Sequence, residues 1–232
     1  RVSILKKNKN FIFYRYDLNQ KKKIKKIFLD HSFKNIIHFA AQPGVIYSYK
    51  NPSSYYKNNV NATKVLIDEI KKNNIKHFIF SSSSSVYGDH RKYPISENFK
   101  LKPKNYYAKT KISCEKIIKR KLKKTKTLVK IIRPFTVYGP YGRPDMLILK
   151  LLSLIKRKKT IKIYDHGKQL RDFTYIDDVV NIIFLLSKKI DKNFQILNIC
   201  GSNPIKINDI ILLVQNILKK KIKLQYKNKR KG

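Results

Sequence analysis

The sequence predicts an α/β fold built on a doubly wound, mostly parallel sheet. Short apolar runs alternate with amphipathic stretches on a strand–helix schedule. Two of the runs, at 35–40 and 77–80, read as buried strands, the first ending in small residues. Two long stretches, 52–73 and 103–124, read as helices connecting such strands.

In chain order, 11–14 reads as a short strand and 21–29 as a basic helix. The strand at 35–40 is followed by the helix at 52–73, where Tyr56, Val60, Thr63, Leu66, Ile67 and Ile70 fall near helical spacing. The strand at 77–80 leads into Ser81–Ser85, a serine run at a strand end and not a flexible linker. The helix at 103–124 comes next, then a strand at 128–132 ended by Pro134. A helix at 177–186 with Asp177 as its cap, a strand at 194–199 stopped before Gly201, and a helix at 208–218 complete the order. No internal repeat is present.

With 232 residues, 42% of them hydrophobic, the chain can bury the core of one domain plus a small lobe. No apolar run reaches the roughly 20 residues of a membrane-spanning helix. The formal charge of +40 raises the question of nucleic acid or another polyanion. The 54 basic residues are 45 Lys and 9 Arg, however, and readers of phosphates and bases lean on the bidentate Arg fork. Compositional bias accounts better for the charge, so no specific nucleic-acid partner is expected, only salt-sensitive adhesion to polyanions. Cys114 and Cys200 make neither a disulfide framework nor a metal cluster, and the five histidines are scattered. No metal is expected, His38 and Cys114 read as packing residues, and the expected location is a reducing cytoplasm.

Tyr107-Ala108-Lys109-Thr110-Lys111 places a tyrosine and a lysine at i and i+4, on one helix face. A nearby ammonium favours phenolate, and a phenol so tuned can act as general base and then general acid. Alone this pair is most often a solvated helix face. Ser83 changes the weighing, because it stands at the carboxyl end of the strand at 77–80, where ligands of open α/β sheets bind. A strand-end hydroxyl can donate to the oxygen that the phenol deprotonates.

Phe80-Ser81-Ser82-Ser83-Ser84-Ser85-Val86-Tyr87-Gly88, followed by Tyr107 through Lys111, resembles the extended short-chain dehydrogenases and, within them, UDP-sugar 4-epimerases. His38-Phe39-Ala40-Ala41-Gln42-Pro43-Gly44-Val45, Tyr56 through Thr63, Arg133 through Pro140 and Arg171 through Asp178 agree in the same order. The resemblance covers nearly the whole chain. It implies a Rossmann-like sheet with bound NAD, a homodimer, and catalysis by Ser83, Tyr107 and Lys111. It implies cofactor contacts at Asp17, Leu18, Phe39, Ala40, Ala41, Gln42, Asn58, Tyr107, Lys111 and Phe135. Nothing in the sequence matches G-x-G-x-x-G, so the chain is expected to lack its first βαβ unit and to be cut short at its end. The expected division is a partial cofactor domain at 1–138 and 172–200, interleaved with a substrate lobe at 139–171 and 201–232.

The run Thr136 through Met146, with Arg1, Leu5 and Asp17-Leu18 at the opening, is similar to UDP-glucuronate 4-epimerases. That likeness implies that Ser83, Ser84, Ser85 and Thr136 meet the sugar carboxylate, while Arg143 and Arg171 meet the diphosphate. Related dehydratases and decarboxylases carry carboxylates where this chain has Ser84-Ser85, which leaves elimination without an operator. The expected activity is therefore conversion of UDP-glucuronate to UDP-galacturonate through a 4-keto sugar. The alternatives are a UDP-glucose or UDP-N-acetylglucosamine 4-epimerase or related NAD-dependent enzyme, an inactive fragment, or a polyanion-binding protein.

Overall fold

A computed structural model describes residues 2–90, 93–189 and 192–228. Arg1 and the terminal residues from Lys229 to Gly232, which enter the expectations above, lie outside them. The elements run α1 (Val2–Leu5), α2 (Lys21–Asp30), β1 (Asn35–His38), α3 (Val45–Lys50), α4 (Pro52–Tyr55), α5 (Ala62–Lys72), β2 (His77–Ser81), α6 (Tyr106–Leu122) and β3 (Leu128–Pro134). They continue with β4 (Thr136–Tyr138), α7 (Leu147–Lys156), β5 (Ile161–Tyr164), β6 (Leu170–Tyr175), α8 (Ile176–Lys188), β7 (Phe194–Ile199), β8 (Pro204–Lys206), α9 (Ile207–Leu218) and β9 (Leu224–Lys227).

The chain divides into two units. The first comprises Arg1–Arg133 with Ile183–Asn198, the second Pro134–Ile182 with Ile199–Gly232. The first unit is organised by a sheet of order β1-β2-β3-β7. β1 and β2 pair in parallel with His38 opposite Phe80, and β2 and β3 in parallel with Phe80 opposite Ile131. Every residue of β2 is buried, as both faces of a doubly wound sheet require. On one face Phe78, Phe80, Val129 and Ile131 meet Ile24 and Phe28 of α2, Ile67 and Ile70 of α5, and Ile118 and Leu122 of α6. Each such fully buried side chain contributes about 1.5–3 kcal/mol.

Local chemistry explains the helix limits. Asn105 caps α6 by accepting from the Ala108 amide at 2.8 Å, and Lys119, Arg120 and Lys121 occupy its last turn, where cations suit the helix dipole. Asn51 caps α4 by accepting from the Ser54 amide, with Pro52 at the first helical position. The stretch expected as one helix at 52–73 does run helically from Pro52 to Lys72, but a π-helical segment at Tyr56–Asn61 interrupts it.

Two buried charges stand out. Arg133 reaches Glu115 through two bonds, Nε to Oε1 at 3.0 Å and Nη2 to Oε2 at 2.6 Å. Lys130, at the centre of β3, donates to the Lys192 carbonyl at 3.1 Å and to Gln195 Oε1.

In the second unit β4 pairs in parallel with β6, and β6 antiparallel with β8. β5 pairs in parallel with β9. Leu151, Ile161, Ile163, Ile210 and Ile211 form its core. The expected division placed 134–138, 172–182 and 199–200 with the cofactor domain, and by their contacts these residues group with the second unit. The reason is pairing: Thr136–Tyr138 is hydrogen-bonded along Phe173–Tyr175, and Leu170–Asp172 along Pro204–Lys206.

Two local expectations are corrected. Residues 11–14 are not a strand: among the described residues no strand pairs with them, and Ile12, Phe13 and Tyr14 stand exposed. Asp177 lies within the first turn of α8 and does not cap it, since the helix already starts at Ile176. Among the described residues no helix is long and apolar enough to cross a membrane, and no cluster of His, Cys, Asp or Glu could hold a metal ion.

His38 closes β1 as a buried side chain, its Nε2 3.0 Å from Thr63 Oγ1. Burial, with the Lys111 charge adding to it, lowers its pKa from 6.5 to about 4. Between those values the unfolded chain binds a proton that the folded chain refuses. Its contribution to stability is therefore full above pH 6.5 and is lost as the pH falls toward 4. Urea denaturation at stepped pH is expected to show this loss at up to about 1.4 kcal/mol per pH unit, and His38→Gln to lack it.

Candidate active site

Parallel in-register pairing brings the carboxyl ends of β1, β2 and β3 to one edge of the sheet. Beyond β2 the Ser82 amide still donates to the Ile132 carbonyl, at 2.8 Å. Ser83 then stays extended, with φ −166° and ψ 147°, and caps a 3₁₀ turn at Ser84–Tyr87. Its Oγ accepts from the Ser85 amide at 3.2 Å and from the Ser85 hydroxyl at 2.9 Å. Acceptance of both leaves the Ser83 proton to be donated elsewhere. Ser83, Ser84 and Ser85 are all half-buried.

The helix α6 carries Tyr107 and Lys111 to this edge. The Lys111 ammonium donates to the Ser81 carbonyl at 2.7 Å and stands 4.9 Å over the Phe80 ring and 5.8 Å over the Tyr107 ring. Only 3% of Lys111 is exposed. Burial lowers its pKa to about 8, opposed by Cys114 and Glu115. The Tyr107 ring is half-buried and meets Tyr55 edge-on at 6.4 Å. Tyr55 itself is fixed by donation to the carbonyls of Pro43 and Gly44, at 2.7 and 2.6 Å. The Ser81 carbonyl and the Phe80 and Tyr107 rings thus surround the buried Lys111 ammonium, and Ser83 follows two residues after Ser81.

The loop after β1 is held by a residue that the sequence reading did not single out. Asn59 Oδ1 accepts from the Gln42 amide at 2.6 Å. Its Nδ2 donates to the Gln42 carbonyl at 3.3 Å and to Thr110 Oγ1 at 3.0 Å. Asn59 therefore ties the Phe39–Gln42 loop to α6 beside Lys111. Asn58, singled out from the sequence, is only half-buried, because the π segment turns Asn59 inward instead. An Asn-Asn pair mid-helix was the only sequence signal, and it carries no phase. Phe39 is exposed at the strand end, while Ala41 and Gln42 are half-buried. Further back, Leu18 packs against the first core, and Asp17 accepts from the Asn19 amide and side chain, which lower its pKa.

Phe135, Thr136, Arg143 and Arg171 belong to the second unit. The Phe135 amide donates to the Ile199 carbonyl at 2.9 Å. Thr136 and Arg143 line a largely apolar pocket of about 220 Å³, with Met146, Leu149 and Phe173. Arg143 grips Asp145 through Nε at 3.0 Å and Nη2 at 2.5 Å. Arg171 does not line that pocket; it donates to the Leu170 carbonyl and to Gln169 Oε1.

Truncating Asn59 would strand the Gln42 amide, while Asn58 has no comparable task. Asn59→Ala is expected to cost about 1–3 kcal/mol in chemical denaturation, and Asn58→Ala no more than about 0.5 kcal/mol.

Known proteins share this fold. A model of the NAD dependent epimerase/dehydratase family matches residues 2–200. A UDP-glucuronate 4-epimerase of Thermodesulfobacterium geofontis is 37% identical, over 98% of this chain and 70% of its own length. The crystal structure of UDP-glucuronic acid 4-epimerase from Bacillus cereus, in complex with UDP-glucuronic acid and NAD, superposes with a TM-score of 0.92. It is 32% identical, and the match covers 100% of this chain and 73% of that one. The UDP-glucose 4-epimerase of Thermotoga maritima gives a TM-score of 0.90 at 27% identity, over 97% of this chain and 74% of its own. With a family model spanning most of its length and a relative that it matches nearly end to end, the chain belongs to the NAD dependent epimerase/dehydratase family.

Proposed function

We propose that this protein carries out NAD-dependent C4 epimerisation of a UDP-sugar, with UDP-glucuronate as substrate and UDP-galacturonate as product. The observation that carries the reading is the buried Lys111 ammonium, bonded to the Ser81 carbonyl and lying over the Tyr107 ring. A phenol, an ammonium and a strand-end hydroxyl at one sheet edge form a proton-transfer centre. The donor set also suits the nicotinamide and ribose half of NAD. Ser81 uses one of the three ammonium donors, Phe39 offers an exposed aromatic face, and Asn59 fixes the loop backbone at Gln42. Asp17, Leu18, Phe39 to Gln42, Asn58 and Phe135 are the further contacts proposed for it.

Bound NAD supplies the reversible oxidation at C4 that gives the 4-keto sugar. Tyr107, as phenolate, takes the proton of the C4 hydroxyl and returns it once the sugar has presented its other face. Lys111 favours that phenolate by its charge. Ser83 donates to the C4 oxygen, as the two hydrogen bonds that its Oγ already accepts allow. Ser84 and Ser85 are proposed to hold the C6 carboxylate, Ser85 by turning its one hydroxyl proton from Ser83 to the sugar while its amide keeps its bond to Ser83. Several neutral hydroxyls can do so while the ring turns, which a fixed guanidinium fork would resist.

In the second unit Thr136 is proposed as a contact of the sugar, and Arg143 and Arg171 as contacts of the diphosphate. The first unit is proposed to carry most of the cofactor contacts together with Ser83, Ser84 and Ser85, and the second to carry Phe135 and the remaining substrate contacts. A homodimer and a reducing cytoplasm complete the proposal; Cys114 and Cys200 are both free thiols, in keeping with the latter.

Purified protein supplied with NAD is expected to convert UDP-glucuronate to UDP-galacturonate, followed by proton NMR of the sugar anomeric signals. Tyr107→Phe is expected to lower turnover by about 10²–10⁴-fold, and wild-type activity in that variant would overturn the mechanism. Equal turnover of UDP-glucose would replace the uronate assignment with a UDP-hexose one.

A further inference from the structure

Three successive serines leave β2, and α6 engages them differently. Tyr107, Lys111 and Glu115 follow one another at four-residue intervals, on one face of the helix. Lys111 takes the carbonyl of Ser81. Glu115 Oε1 accepts the hydroxyl of Ser82 at 2.5 Å. Ser83 makes neither contact and holds the turn that follows it.

The Glu115 carboxylate has two further donors, both from Arg133. Arg133 in turn donates through Nη1 to the Tyr87 hydroxyl at 2.8 Å and to the Glu97 carbonyl at 3.1 Å. Tyr87 donates onward to Asn198 Oδ1 at 2.7 Å. One end of this chain of bonds grips the residue before Ser83. The other grips Tyr87, the residue that closes the Ser84–Tyr87 turn.

We propose that Glu115 is the positioning residue for Ser83, acting through Ser82 on one side and through Arg133 and Tyr87 on the other. The inference rests on the epimerase reading given above. Side chains alternate along an extended strand, so any rotation of Ser82 about the strand redirects the Ser83 hydroxyl. Pinning the Ser82 hydroxyl to a carboxylate that is itself clamped on a guanidinium removes that freedom. A well-packed apolar pair would give equal or better stability in the same space. It would not fix the direction of a neighbouring hydroxyl.

Ser82→Ala tests the link while leaving the Glu115–Arg133 pair in place. The melting temperature is expected to stay within about 3 °C of wild type. Turnover of UDP-glucuronate is expected to fall about tenfold in kcat with KM within about twofold, as misplacement of one catalytic group does. Independently of turnover, amide hydrogen exchange across 83–88 is expected to quicken about tenfold, with the rest of the sheet unchanged. Wild-type kcat together with unchanged exchange at 83–88 would overturn the inference. So would a large fall in melting temperature with kcat and KM changing in parallel. If wild-type protein fails to convert UDP-glucuronate, the epimerase reading falls, and the exchange measurement alone decides whether Glu115 holds the turn.

Discussion

The parallel pairing of Asn35–His38, His77–Ser81 and Leu128–Pro134 decides where every functional group of the first unit can stand. In a parallel sheet all the chain exits lie at one edge, so the loop after β1 and the serines after β2 are delivered to the same place. The register is not free to slip. A shift of one residue would exchange Phe78 and Phe80, which face α2, α5 and α6, for Ile79 on the opposite face. Burial on both faces enforces the pairing, and the pairing then fixes how far Ser83 protrudes beyond the sheet.

Charge inside the first unit follows from that frame. The chain has 54 basic and 14 acidic residues, so carboxylates are scarce. Burying one of them beneath the strand ends, on Arg133, places an acid where it has partners on three sides. Lys111 donates to the Ser81 carbonyl oxygen instead. A carbonyl offsets less of the desolvation of an ammonium than a carboxylate does. That difference fits the downward shift at Lys111, whose largest cause is burial.

Much of the first unit was legible because its signals are local. The Tyr107–Lys111 spacing gives a shared helix face without tertiary information, although the helix expected from 103 starts only at Tyr106, behind its Asn105 cap. The serines were placed correctly because Phe78-Ile79-Phe80 can hardly be anything but a buried strand. What escaped depends on distant partners. Residues 11–14 have the composition of a strand but pair with none among the described residues. The pairs β4–β6, β6–β8 and β5–β9 join segments that are each three to six residues long and lie far apart in sequence. Nothing in so short a segment announces its partner. The buried bonds of Glu115 to Ser82 and Arg133 escaped for the same reason, since 33 and 18 residues separate the partners.

The π-helical segment gives two chemically identical neighbours unlike fates. In a regular helix each residue advances the side-chain direction by about 100°. A wider turn changes that phase once and passes the change to everything on one side of it. Here the change selects Asn59 over Asn58 as the inward residue. The same device makes the helix sensitive to length where it is tolerant of composition. Loss of a single residue between Pro52 and Asn61 would let the turn relax to ordinary helix. Every remaining side chain would be present, but the phase that turns Asn59 toward the Gln42 loop would be lost.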